Sequence, residues 1–115
     1  SVDFEETYPE GSEEAAIIDL LRAHLTALNN KDRDSFMGLF RSTGYASQHE
    51  DWFEKERKYQ FIDVEDLSVR KINNQISVRV LHRYIDPDQN HPNLSGLVYT
   101  LYKNNEGNWT VQTIK

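Results

Sequence analysis

Residues 67–115 read LSVRKINNQISVRVLHRYIDPDQNHPNLSGLVYTLYKNNEGNWTVQTIK, and this stretch decides the fold. Ile76, Val78, Val80, His82 and Tyr84 alternate with Ser77, Arg79, Leu81, Arg83 and Ile85. A period of two is the mark of a half-buried strand. Asn73-Asn74 precedes it as a tight-turn pair, because Asn tolerates positive φ, which makes Leu67 to Ile72 the preceding strand. Asp86 to Asn93 is a polar loop with two prolines. Leu94 to Lys103 is strand again, with Leu97, Tyr99 and Leu101 on one face and Val98 and Tyr102 on the other. Asn104-Asn105-Glu106-Gly107 turns the chain into a last strand, Trp109 to Ile114. Short loops between long strands imply an antiparallel meander.

Upstream, Tyr59 to Val64 opens the sheet region, and the chain before it has a helical period. Ile17, Leu20, Leu21, His24, Leu25 and Leu28 recur at spacings of three and four. Ser12 caps this helix, Glu13 and Glu14 suit the positive end of its dipole, and Asn29-Asn30 ends it. Asp32 or Asp34 caps a second short helix holding Phe36, Met37, Leu39 and Phe40, which Gly44 breaks. Ser47-Gln48-His49-Glu50 reads as a capping box for a third, with Trp52 and Phe53 inside it. Helices first and strands after predict an α+β fold with N-terminal helices packed on one face of a curved antiparallel sheet.

Residues 1–11 are acidic and read as a tail or linker; residues 12–115 make one domain. The net charge is −6, and six acids and no base fall in the first fourteen residues. Residues 59–115 balance six acids with six bases, which argues against nucleic-acid binding. There is no cysteine, hence no disulfide, thiolate nucleophile or zinc–thiolate site. No apolar run approaches the roughly 20 residues of a transmembrane helix. The chain starts without Met, and its acidic start reads as a tether left by a removed leader or anchor, an extracytoplasmic expectation.

Three segments carry a resemblance: Ala27-Leu28-Asn29-Asn30-Lys31-Asp32, Phe36-Met37-Gly38-Leu39-Phe40, and Glu106-Gly107-Asn108-Trp109-Thr110-Val111. In this order the chain resembles the nuclear-transport-factor-2-like superfamily (SnoaL-like, cystatin-like cone). The resemblance implies a curved sheet wrapped round helices, with a pocket at the mouth of the cone. It implies no single activity, since isomerases, cyclases, dehydratases and adaptor modules share that fold.

His82 and Tyr84 lie on the apolar face of their strand. With Tyr99 on the same face they could form an acid–base pair or a ligand-orienting group; the bland alternative is a hydrogen-bonded polar layer in the core. His24 interrupts the apolar stripe of the first helix and, with Trp52, completes the pocket candidates. A His24–His82 pair lacks a carboxylate at ligand spacing, so no metal is expected. Asp86-Pro87-Asp88-Gln89-Asn90 echoes a calcium loop, but His91 stands where that loop needs Gly. No cofactor is expected, since no phosphate-cradling or dinucleotide fingerprint is present. Arg79, Leu81, Arg83, Ile85 and Tyr102 fall on the outer sheet face, where an apolar patch with an arginine rim suits protein contact or a homodimer. The leading expectation is a small non-catalytic ligand- or protein-binding module of bacterial type using the cone pocket or the outer sheet face. The alternative is a SnoaL-like isomerase, cyclase or dehydratase acting on a small hydrophobic substrate through His82 with Tyr84 or Tyr99.

Overall fold

The structure, a computed structural model, describes residues 8–65 and 74–115, and of residues 58 and 60–65 the backbone alone. Four helices, α1 (Glu13–Asn29), α2 (Arg33–Gly38), α3 (Thr43–Ser47) and α4 (Glu50–Glu54), precede four strands. The strands are β1 (Lys58–Glu65), β2 (Gln75–Ile85), β3 (Asn93–Lys103) and β4 (Trp109–Ile114). They form one antiparallel sheet in the order β1-β2-β3-β4. The α+β architecture expected from the sequence is the one found; the sheet stays open. The expected strand Leu67 to Ile72 lies outside the described residues.

Local chemistry explains each start. The Ser12 hydroxyl accepts from the Ala15 N–H at the head of α1. Asp32 caps α2 by accepting from the Ser35 N–H, and Ser42 caps α3 at Tyr45. These side chains satisfy amides that have no partner within the first helical turn. Two expectations are corrected. The second helix stops at Gly38 rather than at Gly44, and Gly44 sits inside α3. Leu39 and Phe40 leave the helix because the chain there pairs with β4. Val111 N–H donates to the Leu39 carbonyl at 2.9 Å, Arg41 N–H donates to the Val111 carbonyl at 2.7 Å, and Phe40 bridges Val111 in parallel. The Ser47–Glu50 capping box does not form either. Ser47 closes α3 with its hydroxyl on the Gly44 carbonyl, and α4 starts from His49 without a side-chain cap.

The turns follow the residues as well. Asn74 takes φ 60° before β2, and Gly107 takes φ 83° in the β3–β4 turn, the left-handed region that Asn and Gly tolerate. On β2, Ile76, Val78, Val80 and His82 are buried while Ser77, Arg79 and Arg83 are exposed. That alternation aims one sheet face at α1, whose buried stripe is Ile17, Leu21, His24, Leu25 and Leu28. Leu97, Tyr99 and Leu101 of β3 and Val111 and Ile114 of β4 complete the core. A tie between Lys103 and Glu13 at 2.8 Å closes the head of α1 against the sheet.

Candidate functional site

The five pocket candidates separate into two groups and a remainder. The first group is His24 with Tyr99, both with no exposed surface. His24 Nε2 lies 3.1 Å from the Phe36 carbonyl, which can only accept, so this nitrogen carries the proton. Nδ1 is then the acceptor for the Tyr99 hydroxyl at 3.2 Å. The ring stacks on Phe36 at 4.2 Å and meets Phe40 edge-on at 5.0 Å. Burial pushes the His24 pKa down to about 3 and raises that of the Tyr99 hydroxyl. Both groups are therefore neutral, mutually satisfied and sealed from solvent. Tyr99, grouped from its strand face with His82 and Tyr84, bonds to His24 instead.

The second group stands at the far end of β2. His82 and Tyr84 stack at 5.7 Å, and Tyr59 from β1 approaches both, at 5.6 and 6.5 Å. Over Tyr84 lies the Arg57 guanidinium, 4.2 Å from the ring, and its Nε donates to the Asp86 carboxylate at 2.6 Å. His82 is buried, and burial lowers its pKa, with the positive charge of Arg57 acting in the same direction. Arg57 and Tyr59 were not among the candidates read from the sequence, and Asp86 entered only as the start of a calcium-loop echo. Arg57 and Asp86 are 29 residues apart in the chain, and only the pairing of β1 with β2, Lys58 opposite Ile85, brings them together. A basic residue at one strand entrance and an acid at the neighbouring strand exit was the available signal.

Trp52 belongs to neither group. It is half-buried on α4 and lies under Lys55, whose ammonium is 4.0 Å from the ring. Another histidine, His49, which lies within the Ser47–Glu50 stretch expected to form a capping box, joins α3 to β4 instead. Its Nδ1–H donates to the Tyr45 carbonyl at 2.8 Å, and its Nε2 accepts the Ile114 N–H at 3.0 Å. Among the described residues, no group of three His, Asp or Glu side chains is placed to hold a metal ion. No helix there is long and apolar enough to cross a membrane.

The outer sheet face carries the other candidates. Arg79, Leu81 and Arg83 pair with Val98, Gly96 and Leu94 across β2 and β3, so these six positions share one face. Leu94 is 71 % exposed, Val98 40 % and Ile85 38 %. The Arg79 guanidinium lies across Gly96, where an added Cβ would come within 2.9 Å of its Nε. Tyr102 is covered: the Arg41 guanidinium sits 3.7 Å from its ring and donates to Gln112.

Two grooves flank α2 on the helical side. One, of about 660 Å³, lies between α1 and α2, and the other, of about 320 Å³, between α2 and α3. Neither is lined by His24, His82, Tyr84 or Tyr99.

Neither a protein-family model nor a curated protein matches the sequence. Solved structures do. A SEC-C motif containing protein from Rhodopseudomonas palustris superposes with a TM-score of 0.62 at 15 % identity, over 90 % of this chain and 80 % of that one. The helical cell shape determining protein Pgp2 from Campylobacter jejuni gives 0.61 at 12 % identity, over 96 % of this chain but 44 % of its own length. A ketosteroid isomerase-like protein from Erwinia carotovora atroseptica gives 0.56 at 17 % identity, over 90 % and 94 %. At such identities a likeness speaks for architecture alone, and that architecture is the nuclear-transport-factor-2-like, SnoaL-like fold.

Proposed function

We propose that the protein is a non-catalytic interaction module that associates, with itself or with a protein partner, through the outer face of β2 and β3. The observation that carries this reading is the exposed row Leu94, Val98 and Ile85 beside Arg79 and Arg83, on a face that no described helix covers. Apolar side chains rimmed by arginine lose little on desolvation and gain contact area, which suits a protein surface. The interior supports the same reading. His24 and Tyr99 satisfy each other, so neither offers a proton to a bound molecule. The likeness to less than half of Pgp2 is in keeping with a fold used as one module of a longer protein.

The test is the association state. We expect the chain at about 100 μM to sediment as a dimer, or to be captured by its partner, and Leu94→Glu with Val98→Glu to abolish that without lowering the melting temperature of the monomer. A wild-type chain that stays monomeric and partnerless, with a sheet face indifferent to both substitutions, overturns the proposal.

An isomerase-type reading draws on one arrangement, the stacked His82 and Tyr84 over Tyr59 at the end of β2. It expects a small hydrophobic ligand to perturb the His82 ring resonances saturably, and His82→Gln to abolish binding with the fold intact. If His82→Gln alters stability alone, the ring is a packed core group.

A further inference from the structure

Two histidines join the helical layer to the sheet, and they answer a proton differently. His24 Nδ1 accepts from the Tyr99 hydroxyl, a group that can turn and accept instead. A proton on that nitrogen is opposed by burial, but the contact itself can survive it. His49 has no such latitude. Its Nδ1 lies 2.8 Å from the Tyr45 carbonyl, which can only accept, and its Nε2 lies 3.0 Å from the Ile114 amide nitrogen, which can only donate. The first partner fixes the ring proton on Nδ1, and the second needs the lone pair of Nε2. A doubly protonated ring would set N–H against N–H. The proton and the Ile114 amide therefore compete for one lone pair.

The surroundings make release of this contact a local event. His49 keeps 5 % of its surface, whereas His24 keeps none. The helices on either side, α3 and α4, have five residues each, and α4 starts from His49 without a side-chain cap. Helices of one turn hold few internal bonds and belong to the parts of a fold that open first. The ring is also a cover, since it stacks on Phe40 at 4.9 Å, and Phe40 in turn meets His24 edge-on. The charged and titratable groups about His49 are His24 beyond Phe40 on α1, Arg41 over the Tyr45 ring, Glu50 and Asp51 at the head of α4, and Lys115 after Ile114. Glu50 is held by Arg33 of α2, and Asp51 is exposed. None of them is the partner of a ring nitrogen, so no carboxylate bond holds a cation in the closed form.

We propose that His49 is an acid-released clasp: a proton taken up on Nε2 frees the Ile114 amide, and α3 with the start of α4 lifts from β4, uncovering Phe40 while the sheet stays intact. The opened form is the one that binds the extra proton, so opening rises as the pH falls. One proton changes that equilibrium by up to about tenfold per pH unit.

The test is an NMR titration of the whole isotope-labelled chain from about pH 7.5 to about pH 5. The His49 ring protons and the Ile114 amide are expected to move in one transition. The protection factor of Ile114, which excludes the intrinsic pH dependence of exchange, should fall at least about tenfold, while Val78 and Val80 of β2 stay protected. His49→Gln has a carboxamide that donates and accepts but takes no proton, so its Ile114 protection should not vary with pH. His49→Ala should show the acid level of exchange already at about pH 7.5. If His49→Gln does not fold, the wild-type titration decides alone. The proposal is overturned if His49 titrates while Ile114 stays protected, or if His49 takes no proton before the whole chain unfolds. Loss of protection throughout the sheet in the same transition would overturn it too, as would a transition that persists in His49→Gln.

Discussion

His24 uses both ring nitrogens inside the core, and this makes it a pH-dependent element of stability. Folded, it takes up its proton only near pH 3; unfolded, near 6.5. The unfolded chain therefore binds more protons between those values, so stability is complete above about 6.5 and falls as the pH drops toward 3. The slope expected from this one group is up to about 1.4 kcal/mol per pH unit. Denaturant melts across that range check it: His24→Gln, which can still donate to Phe36 and accept from Tyr99, should remove this part of the slope. Tyr99→Phe leaves Nδ1 without its donor and should cost about 1–3 kcal/mol. An unchanged melting midpoint in Tyr99→Phe would show that the hydroxyl is not holding the ring.

At the scale of elements, two of the contacts that fasten the helical layer to the sheet lie on the backbone of its β4 edge. One is the short parallel pairing of Leu39 to Arg41 with Val111. The other is His49, which joins the Tyr45 carbonyl to the Ile114 amide. Phe40 stands between the two histidines, edge-on to His24 and stacked on His49 at 4.9 Å. Removing the clasp with His49→Ala should leave the Ile114 N–H unsatisfied, at a cost of about 1–3 kcal/mol. Hydrogen exchange at that amide is the direct measurement, and retained protection would contradict the clasp. In α2, Asp32→Ala should cost about 1 kcal/mol through the lost cap, while Gly38→Ala should stabilise by about 0.5–1 kcal/mol. The opposite signs, read in one set of thermal melts, separate a residue that serves the helix from one that weakens it.

At the scale of the whole molecule, the two faces have different chemistries. The sheet presents Leu94, Val98 and Ile85 with arginines, and the helical side presents Asp19, Asp32 and Asp34 around an apolar groove. Association through the sheet face should persist as salt rises, because salt does not weaken apolar burial and screens only the arginine rim. Sedimentation over a salt series checks this, and dissociation at high salt would contradict an apolar contact.

The sequence by itself determined the parts governed by local rules. The two-residue period of Ile76 to Tyr84 set β2 and its buried face, the three-and-four spacing of Ile17 to Leu28 set α1, and Ser12 and the choice of Asp32 or Asp34 marked helix starts, Asp32 being the one that caps. Each follows from backbone geometry acting within a few residues. It misplaced the end of the second helix, because there a pairing of Leu39 to Arg41 with the distant Val111 overrode local preference, and it misread Ser47, whose hydroxyl closes α3 on the Gly44 carbonyl instead of opening α4. The partners of its polar groups were decided only by the tertiary structure. His24 finds Tyr99 at a separation of 75 residues, and Arg57 finds Asp86 at 29. Strand face tells which way a side chain points, but the bond it makes depends on which element packs opposite, and that is fixed only when the helices settle on the sheet.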